Sequence, residues 1–268
     1  MKRALGLLLA IAGTAHAEDL DPCANSLVEP VPTPLRDVAI DAQRAACARD
    51  ELSTYAQADI LVDTPGFHGE LGGDLRVGAR MQLRALELFA GVRLTRFVFA
   101  QNAVNKVTAL QFGPLTLGAA YVGRVGDGAN AALTAVLEVP YTRDDTATMH
   151  ASGSVNALLT GALARRTFVH ARLGMVAMHA SSTGGSTTRT AARAGLDLVQ
   201  LLGARFAVGA GIESQAGWYA GLDHVALRLS LQWRMFDVWR GAIGAGLPVA
   251  GEERTNAIIT LGLVRDLR

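Results

Sequence analysis

Two short spacings in the chain place an imidazole beside a hydroxyl. His150-Ala151-Ser152 and His179-Ala180-Ser181 both read H-x-S. On an extended backbone, residues two apart share a face, so the imidazole stands where it can take the serine proton and create a nucleophile. Such a pair needs a third group to orient the ring. An acid about a dozen residues on would serve, but those places hold Ala162 and Ala191. Without it each pair reads as a strand-end histidine beside a loop serine, and no catalytic residue is assigned. The sequence has no nucleophile elbow, phosphate loop or metal-ligand cluster. Gly123, Gly126 and Gly128 fall in a turn with no following helix, so they make no nucleotide site. No cofactor and no metal is expected.

A larger set of side chains suits binding rather than reaction. Asp74, Glu87, Glu138, Asp197 and Glu213 are interspersed with Arg76, Arg80, Arg93, Arg172, Arg193, Arg228 and Arg240. His170 and Arg172 share a face, as do His224 and Arg228. Lysine occurs only at positions 2 and 106, so arginine carries nearly all the positive charge. Arginine keeps its proton when buried and forks onto carboxylates, which suits a confined polar interior. Gathered on one face, these groups would line a channel favouring anionic solutes, or fill a lumen with arginine–carboxylate ladders. A formal net charge of +1 and a pI near 7.9 give no electrostatic case for nucleic acid.

The elements that carry these residues have a two-residue period. Leu75, Val77, Ala79 and Met81 alternate with Asp74, Arg76, Gly78, Arg80 and Gln82; Leu86, Leu88, Ala90 and Val92 alternate with Glu87, Phe89, Gly91 and Arg93. Val225, Leu227, Leu229 and Leu231 alternate with Ala226, Arg228, Ser230 and Gln232. A helix cannot sustain that period, so these are strands with one apolar and one polar or small face. Strands are predicted near 53–62, 72–83, 86–97, 107–123, 130–139, 148–164, 167–179, 189–200, 204–213, 222–233, 236–247 and 256–266. Pro114 requires a bulge in the fourth. Connections after odd-numbered strands are long and polar, as at 141–146 and 181–190. Those after even-numbered strands are tight, at Arg84-Ala85, Arg165-Arg166, 201–203 and Arg234-Met235, with only 125–129 longer.

The N-terminal part reads differently. Lys2 and Arg3, the apolar run from Ala4 to Ile11, and Ala15-His16-Ala17 before Glu18 form a three-part secretory signal, 1–17. About 250 residues follow it. Residues 18–52 form a periplasmic leader in which Pro22, Pro30, Pro32 and Pro34 mark an extended arm. Thr33-Pro34 reads as a helix start, predicting a short helix over 35–49. Cys23 and Cys47 are the expected disulfide in an exported chain. The helix should sit at or inside the periplasmic mouth. Mean hydropathy is +0.25, yet the mature chain has no apolar run long enough for a membrane helix.

Alternation, strands of ten or more residues, and long loops sorted from short turns together resemble Gram-negative outer-membrane β-barrel proteins over residues 53–266. The resemblance is porin-like and carries no subfamily motif. It implies an all-β, antiparallel transmembrane barrel of about twelve strands, residues 53–268, in contact with outer-membrane lipid. It also implies insertion by the barrel assembly machinery, although Leu267-Arg268 stands where such proteins usually end in an aromatic residue. Phe97, Phe99, Tyr141, Trp218 and Tyr219 would form one aromatic rim; Tyr55, Trp233, Phe236 and Trp239 would form the other. The implied function is a passive pore for small polar or anionic solutes. The alternative is a structural, adhesive or partner-binding barrel with a plugged lumen. Two further readings are a soluble periplasmic barrel holding an apolar ligand, and a lipid-modifying enzyme. The H-x-S pairs look like those of outer-membrane lipid A deacylases, but that site needs the lipid face and His150 falls on the inward register.

Overall fold

The computed structural model describes residues 21–32, 44–63, 68–100, 113–139, 149–182, 185–217, 222–251 and 257–267. The expected signal segment, residues 35–43 of the expected helix, and the loop residues 101–105, 141–146, 218–219 and 252–255 lie outside them. The described strands are β1 (Glu51–Asp63), β2 (His68–Leu83), β3 (Leu86–Ala100), β4 (Leu115–Gly126), β5 (Ala129–Val139) and β6 (Met149–Ala164). They continue with β7 (Thr167–Ser182), β8 (Gly185–Leu201), β9 (Phe206–Ala216), β10 (Leu222–Phe236), β11 (Trp239–Ala250) and β12 (Ala257–Asp266). Each pairs antiparallel with its neighbours in sequence, and β1 pairs with β12 from Glu51↔Asp266 to Ile60↔Ala257, closing a twelve-stranded barrel. Closure removes the sheet edge, so each strand finds a ladder partner on either side.

Alternation decides what each face meets. Leu117 and Tyr121 on β4, Leu133 and Leu137 on β5, Leu173 and Met175 on β7, and Leu227, Leu229 and Leu231 on β10 are all exposed. Between them Thr116, Thr134, Arg172, Arg228 and Gln232 are buried. A water-soluble barrel reverses that order. An apolar belt outside and a polar interior is the arrangement required by hydrocarbon.

Several connections differ from the sequence expectation. Residues 125–129 are not a long loop: β4 and β5 run on until only Asp127-Gly128 is left, with Gly128 at φ 72. Asp-Gly supplies the left-handed backbone that a two-residue hairpin turn needs. The turn placed at Arg234-Met235 lies instead at Asp237-Val238, because a bulge between Arg234 and Phe236 prolongs the pairing. The stretch 181–190 is not a long loop: β7 and β8 pair through Ser181↔Ser186 and Ser182↔Gly185. Its threonines favour a pleated ladder, and His179 Nδ1 lies 2.9 Å from Thr188 Oγ1 across it. β4 as described begins just after Pro114, and residues 107–112 of the predicted fourth strand lie outside the described residues. Pairing to β3 continues past Pro114, where the Gly113 N–H donates to the Arg93 carbonyl at 2.8 Å.

The helix predicted over 35–49 is absent from its described part, 44–49. There the backbone donors go to the barrel wall instead of a helical ladder: the Ala46 N–H donates to Thr160 Oγ1 at 2.8 Å and the Arg49 N–H to Glu87 at 2.8 Å. The described part of the leader carries a short 3-10 segment, Ser26–Val28, capped by Asn25.

Because Leu229 stands mid-strand on the exposed face, Leu229→Arg should cost about 2–4 kcal/mol of folding free energy in vesicles. Urea titration of the refolded protein measures it; a cost below about 1 kcal/mol contradicts a lipid-facing β10.

Candidate functional site

The interior is built from the polar alternates of every strand together with the leader. Leu27 and Val28 are completely buried against Ala162, Phe168, Val199, Leu201 and Ala207, so this part of the leader lies inside the barrel at the end bearing the tight turns. Ala46 packs with Ala132, Leu158 and Val122. The Cys23–Cys47 disulfide is formed, with Cα atoms 5.4 Å apart, and joins the two arms of the leader where they meet the wall. Gln232 donates to the carbonyls of Leu27 at 3.2 Å and Glu29 at 2.5 Å.

Arg80 on β2 holds the centre of this end. Its Nη1 donates to both Glu29 oxygens at 2.7 and 2.8 Å and to Glu51 at 3.0 Å. Its Nε and Nη2 form a fork on the Glu87 carboxylate at 3.0 Å each, and Nη2 also reaches the Cys47 carbonyl at 3.1 Å. Three buried carboxylates cannot share one cation alone. Arg240 adds bonds to Glu51 at 2.7 Å, Asp266 at 3.3 Å and the Ser26 carbonyl at 3.0 Å. Arg49 lies 3.3 Å from Glu29 and donates to the Asn25 carbonyl at 3.1 Å. Such forked, charge-assisted bonds are the strong class, and they are needed where water cannot solvate the charges.

A second network lies deeper along the barrel. Glu213 on β9 accepts from Arg228 at 2.8 Å and lies 2.9 Å from Arg172 and 3.5 Å from the leader's Arg44. Arg228 also reaches Asp197 at 2.6 Å. Arg193 donates to Gln215 at 2.9 Å, and Gln215 donates to Asp223 at 3.1 Å. A register shift between Leu222 and His224 turns both Asp223 and His224 inward. On the opposite wall Asp74 pairs with Arg76 at 3.0 Å and Arg93 at 3.2 Å.

None of the fourteen residues chosen from alternation is exposed. Asp74, Arg76, Arg80, Glu87, His170, Arg172, Arg193, Glu213, His224, Arg228 and Arg240 are buried, and Arg93, Glu138 and Asp197 are half-buried. His170 Nδ1 lies 3.0 Å from Thr160 Oγ1, the hydroxyl that also receives Ala46. Residues missed include Glu51 and Gln57, which carry the β1 alternation further, and Glu29, Arg44 and Arg49, which no periodicity marks. Tyr55 was expected at an aromatic rim, but it lies inside and lines a cavity with Glu51, Ser53 and Gln57. Of the H-x-S pairs, Ser152 donates to Glu138 at 2.9 Å and His179 is engaged by Thr188. The His150 side chain lies outside the description.

The described part of the leader does not fill the interior. A cavity of about 80 Å³ lies between Glu29, Pro30, Val31, Pro32 and Arg44 on one side and the walls of β1 to β4 and β10 to β12 on the other.

No family model matches the chain, and no curated protein matches it in sequence. Among solved structures, it resembles an outer membrane channel from Pseudomonas putida F1, with TM-score 0.61, 16% identity, and coverage of 86% of this chain and 100% of that one. The fold is that of the porin-like outer-membrane barrels. A KdgM porin solved with disordered oligogalacturonate gives TM-score 0.55 at 10% identity, covering 81% of this chain and 99% of the other. The translocator domain of the autotransporter NalP from Neisseria meningitidis gives TM-score 0.52 at 14% identity, covering 82% and 89%.

Arg80→Gln would leave Glu29, Glu51 and Glu87 short of a buried cation. The variant should lose about 3–5 kcal/mol against denaturant and expose residues 21–50 to protease. Stability and protection equal to the parent would show that the leader is held by other contacts.

Proposed function

We propose that the protein resides in the bacterial outer membrane and lets small polar solutes, anionic ones included, pass by diffusion beside its leader. On this reading residues 1–17 direct export and are removed after Ala17, and the barrel assembly machinery inserts the remainder. Outer-membrane lipid surrounds the apolar belt. No catalytic step is assigned. The observation that carries the proposal is the cavity of about 80 Å³ left between the described part of the leader and the wall, room for several water molecules. Its lining mixes Arg44, Arg76, Arg240, Gln57 and Thr116 with Phe89, Val92 and Pro30.

The charges on the wall limit selectivity. Most interior arginines have carboxylate partners at ion-pair distance, as with Arg76 and Arg93 on Asp74 and Arg172 and Arg228 on Glu213. A compensated lumen repels neither sign strongly, so size decides what passes.

The second reading is a barrel whose lumen is closed and whose role is structural or partner-binding. The disulfide and the ion pairs of Arg80 and Arg240 favour it, because they hold the leader firmly in the lumen. Liposome swelling separates the two. Proteoliposomes should swell in a pentose and swell progressively more slowly as neutral sugars grow larger. Swelling no faster than that of empty liposomes, for every sugar, would reject the pore and leave the closed barrel.

A further inference from the structure

We propose that the tight-turn end of the barrel binds anionic phospholipid headgroups through a collar of exposed arginines. The inference rests on the membrane reading above and adds a lipid partner to it. Arg84 in the β2–β3 turn, Arg124 at the end of β4, Arg165 and Arg166 between β6 and β7, Arg205 before β9, and Arg265 near the end of β12 are all exposed. They come from five separate places in the chain, and closure brings them to one rim. Arg84 even holds a left-handed backbone at φ 59, which glycine or asparagine adopts at lower cost.

The exposed acids at this end are fewer and partly engaged. Asp21 accepts from the Cys23 N–H, Asp50 from the Gln82 N–H, and Asp127 lies 3.7 Å from Arg124. Asp237 is the fourth among the described residues.

A second observation fixes the height of the collar. Exposed apolar side chains continue to the turns themselves: Leu83 and Leu86 flank Arg84, Val125 follows Arg124, Leu202 and Phe206 flank Arg205, and Met235 and Phe236 end β10. Phe236 is 69% exposed, which no water-facing rim would favour. Hydrocarbon must therefore reach the last strand residues. Turns of two residues do not project far beyond it, so the guanidiniums stand in the headgroup layer. Arg265 shows the arrangement directly, its guanidinium lying 5.8 Å over the Trp239 ring. An indole at the interface with a cation above it is an anchor for a phosphate-bearing surface. The forked donors of arginine match phosphate oxygens, and each such residue near an anionic leaflet adds to the attraction.

The test uses the full refolded chain in phosphatidylcholine vesicles and in vesicles containing equal parts phosphatidylcholine and phosphatidylglycerol. After gentle detergent extraction, native mass spectrometry counts the lipids retained on the folded barrel. Phosphatidylglycerol should be retained roughly tenfold over phosphatidylcholine. The preference should vanish in the combined variant R84Q, R165Q, R166Q, R205Q, while gel mobility still reports a folded barrel. Should that variant fail to fold, raising the salt on the parent protein replaces it, and retention of phosphatidylglycerol must then fall. Equal retention of the two lipids by the inserted parent, or a preference indifferent to both variant and salt, overturns the collar alone. A chain that stays soluble and inserts into neither vesicle overturns the membrane reading together with the collar.

Discussion

One guanidinium joins three carboxylates from three segments of the chain. Arg80 of β2 is bonded to Glu51 of β1, Glu87 of β3 and Glu29 of the leader. In lipid, the hydrophobic effect does not press strands together, because both the exterior and its surroundings are apolar. What fixes the barrel at this end is its polar interior. Glu51 also receives Arg240 of β11, which reaches Asp266 of β12, so the seam between first and last strands shares its charges with the leader. Closing the sheet and seating the leader are thus one electrostatic problem with one solution. Removing one of these carboxylates or cations leaves its buried partners with less compensating charge.

From that constraint the division of the interior follows. At the turn end the leader is sealed against the wall by Leu27 and Val28, by Gln232, and by the ion pairs of Arg80 and Arg240. Toward the other end Glu213 draws on Arg172 and Arg228 of the wall and on Arg44 of the leader. The space that remains lies beside Pro30, Val31 and Pro32, where the prolines offer no N–H to bridge to the wall.

Much of this was legible in the sequence because a two-residue period has one consequence in a closed sheet. Once Leu227, Leu229 and Leu231 are assigned outward, Arg228 and Gln232 must face inward, and closure brings them toward Asp197, Glu213 and the leader. The same logic carried Asp74 with Arg76, and Arg80 with Glu87. Where the period lapses, the reading lapsed with it. The leader's Glu29, Arg44 and Arg49 gave no sign of their place, since their partners lie far along the chain. The helix expected over 35–49 was argued from local propensity, and in its described part the wall's hydroxyl and carboxylate outcompete the helical carbonyls for Ala46 and Arg49. At 181–190 serine, threonine and glycine signal a turn locally, whereas the facing strand offers them a ladder.

The central claim is that the leader occupies the lumen and narrows an otherwise open path. Single-channel recording of the refolded protein, with and without residues 18–50, tests it most directly. The shortened barrel should open to a clearly larger ohmic conductance than the intact chain. Identical conductance from the two would mean that the leader does not lie in the conducting path.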